Sequence, residues 1–136
     1  MHALLSASQR NLEAAKANLD SFEETAFKAA YDAMLQVARV VVLSAGYRPI
    51  DGEQHKTTFA AAGVILGKDF EGLIRKIQSF RIKRNNCVYD PLGFVSYAEA
   101  KAIINVCVQF WNLTREYLQK QSSQLELFPR QEMVGE

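Results

Sequence analysis

The stretch "SFEETAFKAAYDAMLQVARVVVLSAG", residues 21–46, decides the fold. Its residues Phe27, Tyr31, Met34, Ala38, Val41 and Val42 recur at steps of three or four, the interval at which a helix returns to one face. Ser21 and Glu24 have the spacing of a capping box, which predicts the helix start. Gly46 and Pro49 supply the stop.

Working outward, the Ala-rich run Ser8–Leu19 predicts an opening helix, and "GYRPIDGE" (46–53) reads as a turn-rich connection. A shorter helix is expected over Gln54–Leu66, ended by Gly67. The next begins near Asp69 and carries Phe70, Leu73, Ile77, Phe80, Arg84 and Val88 at helical spacing. "DPLGF" (90–94) breaks the chain, and "SYAE" offers a second capping box, Ser96 to Glu99. Ile103, Cys107, Phe110, Leu113 and Tyr117 stripe the last helix. No segment shows convincing β-alternation. The expectation is an all-α fold, an antiparallel four- to five-helix up-and-down bundle over residues 1–120. The polar sequence that follows predicts a flexible C-terminal tail over 121–136.

One domain fits 136 residues, and 49% apolar against 23% charged residues belongs to a globular chain rather than a disordered one. A net charge of +1 excludes a global nucleic-acid-binding field, so any such role needs a local patch. "MHALLSASQR" lacks the pattern of a signal peptide. The longest apolar window is broken by Gln36 and Arg39 and is too short for a bilayer, so no membrane association is expected. Cys87 and Cys107 form no CxxC pair and have no His at zinc spacing. A reduced cytoplasmic location with no metal or other cofactor is the expectation.

Residues 75–84 hold Arg75, Lys76, Arg81, Lys83 and Arg84 with no acid among them, leading into "RIKRNNCVYD" (81–90). Arg84 falls seven residues after Ile77 and four after Phe80, so it continues the inward stripe. An inward guanidinium needs a carboxylate, a phosphate or a partner chain to offset its desolvation. Asn85 lies one turn before Tyr89 and shares its face, with Arg84 about 140° away from Tyr89. Two readings stay open at this point. Arg84 either pairs with a buried acid while Tyr89 caps the helix, or the group forms a phosphate site.

The order of helices and the run Arg84-Asn85-Asn86-Cys87-Val88-Tyr89 resemble a HEPN domain (higher eukaryote and prokaryote nucleotide-binding). That motif is an Arg, often followed by Asn, with a His four to six residues on; here Tyr89 takes the place of the His. The long helix with Tyr31, the loop after it and "GEQHKTTF" (52–59) are also similar, over roughly residues 8–120. The resemblance implies a homodimer acting on RNA or nucleotide, as the metal-independent endoribonuclease toxin of a toxin–antitoxin or defence pair. It implies Arg84, Asn85 and Tyr89 as catalytic residues, with Arg75, Lys76, Arg81, Lys83, His55 and Lys56 contacting nucleic acid. Tyrosine, with an ordinary pKa of about 10, is a poor proton acceptor at neutral pH, and His55 substitutes only if the fold brings it close. The alternative is a non-catalytic module binding nucleotide or substrate for a nucleotidyltransferase; the implied protein partner is that enzyme or an antitoxin.

A second resemblance lies in "QLELF" (124–128), similar to the peptide by which bacterial proteins dock on the DNA-polymerase sliding clamp. Gln124 would hydrogen-bond while Leu125, Leu127 and Phe128 fill apolar pockets. The same side chains can instead fold back onto the bundle.

Overall fold

The computed structural model describes residues 2–48, 54–89, 95–121 and 129–135, and at 87–89 the backbone alone. Five helices occupy them: α1 (His2–Asn18), α2 (Glu23–Ser44), α3 (His55–Leu66), α4 (Glu71–Tyr89) and α5 (Tyr97–Gln121). A 3-10 turn, Lys68–Phe70, precedes α4, and no strand occurs among the described residues. The chain is all-α, as its periodicity predicts.

Helix α2 is the centre of the bundle and touches all four others. Every member of its predicted stripe is buried. Helix α1 starts six residues before the expected Ser8 and packs most extensively against α2. Small side chains make this contact close: Ala15, Ala26, Ala30 and Ala33 have no exposed surface. Ser8 Oγ donates to the Ala33 carbonyl at 2.9 Å, and Asn11 Nδ2 to Gln36 Oε1 at 2.9 Å. The weak hydropathy of α1 thus reflects tight helix–helix approach.

One predicted capping box forms and the other does not. Ser96 and Glu99 bond reciprocally, each backbone N–H to the other's side chain at 3.1 Å. The Ser21–Glu24 box is corrected: Phe22 holds the N-cap position of α2, with no side-chain cap. Only four residues separate α1 from α2, and the N–H groups of Ser21 and Phe22 both donate to the Asn18 carbonyl, at 3.2 and 2.7 Å. Ser21 is consumed in that turn, while Glu23 and Glu24 still complement the helix dipole.

Helices α3 and α4 form an antiparallel hairpin. Gln78 Nε2 donates to the Lys56 carbonyl at 3.0 Å, and a Cβ on Gly63 would stand 3.1 Å from Ile74 Cγ1. The turn uses Gly67 at φ +97°, a conformation that a side chain disfavours. The α4 stripe keeps Leu73 and Ile77 buried and Phe80 against the core.

Of the segment 121–136, expected to be a flexible tail, the structure describes Gln121 and residues 129–135. Helix α5 runs through Gln121, and residues 129–135 lie along α5, where the Trp111 indole N–H donates to the Pro129 carbonyl at 2.9 Å.

Candidate functional site

The open end of the α3–α4 hairpin closes on the middle of α2. Phe80 of α4 meets Phe27 of α2 edge-on, with ring centroids 6.0 Å apart at 71°. One turn further along both helices, the Arg84 guanidinium carbon lies 5.5 Å from the centroid of the Tyr31 ring. Tyr31 is wholly buried, and Phe59 of α3 supports it edge-on at 5.9 Å. Its hydroxyl must find a partner inside the protein, and it lies 2.9 Å from His55 Nδ1. His55 is the first residue of α3 and half-buried. Tyr31 of α2 is therefore contacted from two other helices, by His55 of α3 at its hydroxyl and by Arg84 of α4 at its ring.

The Arg84 environment bears on the two sequence readings. No carboxylate lies within ion-pair distance of its guanidinium among the described residues. Nη1 reaches Asn85 Oδ1 only at 3.5 Å, the outer limit of a hydrogen bond. Nε is buried and has no partner among the described residues. No acid among the described residues pairs with Arg84. Contact with the Tyr31 face is worth on the order of 1 kcal/mol and supplies no acceptor to the buried Nε. The site retains an unmet demand for an acceptor.

Asp32, next to Tyr31, shapes the field. Burial raises its carboxyl above the usual carboxylate range, against the opposing pull of Lys28, Arg84, His55 and Arg39. Lys28, Arg39 and Arg84 thus all lie within electrostatic reach of one half-buried acid.

Other candidate residues do not gather here. The Ser96 backbone N–H, helped by Lys83 at 3.1 Å, holds the Glu99 carboxyl below its ordinary range. Arg81 Nε donates to Gln78 Oε1 at 2.8 Å. Arg75 and Lys76 are exposed roughly two and a half turns back, about 12–14 Å from Arg84 along the helix axis. Lys56 follows His55 and is exposed, while Asn85 borders Arg84. Tyr89 ends α4, and its side chain lies outside the described residues, as do Gln124, Leu125, Leu127 and Phe128.

Sequence reading missed Asp32 and the Tyr31–His55 bond. An acid beside a tyrosine on an otherwise apolar stretch of helix was the available signal for Asp32. The bond joins residues 24 apart across a connecting loop, a distance over which helical periodicity carries no information.

Cys107 is excluded as a nucleophile, because complete burial pushes its thiol up to about 12. Among the described residues, no group of three or more His, Cys, Asp or Glu could hold a metal ion. No helix among them is long and apolar enough to cross a membrane. Comparison with protein-family models, with curated proteins and with solved structures returned no match for this chain.

Proposed function

We propose that this chain is a HEPN-like protein acting on RNA or a nucleotide, with Arg84 as its phosphate-binding group and His55 as its proton-transfer group. The observation that carries the reading is the half-buried Arg84, its Nε without a partner among the described residues, over the ring of a tyrosine whose hydroxyl lies 2.9 Å from His55 Nδ1. A phosphodiester supplies the acceptors that Arg84 lacks, and the planar fork of arginine matches phosphate oxygens. Histidine exchanges protons near neutral pH, the property that Tyr89 lacks.

The Tyr31 hydroxyl can accept a hydrogen bond from His55 Nδ1–H in both the neutral and the charged ring. The bond then persists while Nε2 takes up and returns a proton. In the cleavage reaction the imidazole removes the proton of a 2′-hydroxyl, and the 2′-oxygen attacks phosphorus. The bond from phosphorus to the 5′-oxygen breaks, and that oxygen takes a proton from solvent. A 2′,3′-cyclic phosphate and a 5′-hydroxyl result, with Arg84 countering the charge that builds on phosphorus. A two-fold dimer bringing two such sites to one cleft belongs to the same proposal, as does an antitoxin or nucleotidyltransferase partner.

The test is incubation of the purified chain with RNA in chelator. The wild type is expected to yield cyclic-phosphate ends, with the rate falling at least 100-fold in Arg84→Ala and in His55→Ala. RNA left intact at high protein concentration removes the ribonuclease reading. Retained, Arg84-dependent RNA binding would then support the binding module instead.

A further inference from the structure

The polar C-terminal segment is bound in a way that its composition does not announce. Asn112 clasps Gln131: its Nδ2 donates to the Gln131 carbonyl at 2.9 Å, and its Oδ1 accepts from the Gln131 N–H at 2.8 Å. Asn105 clasps Val134 in the same manner, at 3.4 and 2.9 Å. The Trp111 indole N–H takes the Pro129 carbonyl. All five bonds end on backbone atoms of the segment. Side chains add Lys16 Nζ to Gln131 Oε1 at 3.2 Å, and Arg130 to Glu116 at 3.8 Å between exposed groups.

The spacing is matched. Seven residues separate the two asparagines, placing them on one face of α5 about 10.5 Å apart along its axis. Three residues separate Gln131 and Val134, and an extended chain covers about 10 Å in three steps. The two clasps can therefore close together only on a nearly extended backbone, running opposite to α5. Each supplies the N–H and C=O pair that a neighbouring strand would supply, but from a helix.

We propose that the α5 face formed by Asn105, Trp111 and Asn112, edged by Lys16 of α1, is a binding site for extended peptide, read through the backbone, with residues 129–135 as its resident ligand. Because recognition ends on main-chain atoms, the same segment presented on a separate molecule fits the same site. The resident segment outcompetes it by attachment, since a short tether gives an effective concentration near the millimolar range.

The test keeps the full chain. Gln131→Pro with Val134→Pro removes both clasped N–H groups and leaves the α5 face intact. A fluorescent peptide of residues 129–136 is expected to bind this variant at least tenfold more tightly than it binds the wild type. Adding Asn112→Ala to the variant is expected to weaken binding about tenfold or more. In the peptide, alanine in place of Gln131 and Met133 changes affinity less than threefold, whereas N-methylation at Gln131 and Val134 abolishes binding. Equal binding to variant and wild type, indifference to Asn112→Ala, or greater sensitivity to the side chains than to N-methylation overturns the proposal.

If the double variant loses helix content, hydrogen exchange on the wild type decides. The Gln131 and Val134 amides are expected to exchange at least tenfold more slowly than that of Glu132, with Asn112→Ala releasing Gln131 but not Val134. Uniform exchange along 130–135 overturns the proposal.

Discussion

Arg84 is the residue on which the account turns, and its direction was legible in the chain. Its place seven residues after Ile77 and four after Phe80 predicted an inward guanidinium, and the side chain lies over the buried Tyr31 ring. What meets it there was not legible. His55 joins Tyr31 across 24 residues, and periodicity does not fix the path of a loop. Asp32 gives a pH-dependent consequence. Its carboxyl titrates above the ordinary range because burial penalises the charged form, so the folded state holds a proton that the unfolded state has released. Stability therefore falls as pH rises from the ordinary carboxylate value through the raised one. Asp32→Asn is expected to raise the urea midpoint at pH 7, with the gain shrinking towards zero as pH falls below about 4. A gain of equal size at pH 3 and pH 7 contradicts the assignment.

At the scale of elements, the helices followed from hydrophobic spacing, and the misses lie where short-range geometry competes. Ser96 caps α5 through its reciprocal bonds with Glu99, whereas Ser21 lies inside a four-residue link whose turn takes its N–H. The α3–α4 hairpin depends on Gly63, where a Cβ would press on Ile74 at 3.1 Å. Gly63→Leu forces the two helices apart at an already close contact and is expected to cost about 2 kcal/mol. In thermal melts this appears as a midpoint several degrees lower. An unchanged midpoint would mean that the hairpin is not packed as described. Because His55 and Arg84 lie on the two arms of this hairpin, the same variant is expected to weaken RNA binding without touching either residue.

Across the whole molecule, the division into a bundle over 1–120 and a tail follows hydropathy, which does not register an asparagine that binds backbone. Residues 129–135 offer few apolar side chains, yet Asn105, Asn112 and Trp111 fix them through main-chain atoms, and Val134 packs against the core. The net charge of +1 conceals a comparable contrast. Lys83 is paired with Glu99, while Arg75 and Lys76 stand in solvent more than two turns from Arg84. The cationic run of α4 is thus several separate environments, and the proposal rests on one of them. The most direct measurement is the affinity of the intact chain for a short fluorescent RNA, at one fixed salt concentration, for the wild type, Arg84→Ala, and Arg75→Ala with Lys76→Ala. The account predicts a loss of at least tenfold for Arg84→Ala and less than threefold for the paired substitution. An Arg84→Ala variant that keeps its helix content and binds RNA as the wild type does would contradict it.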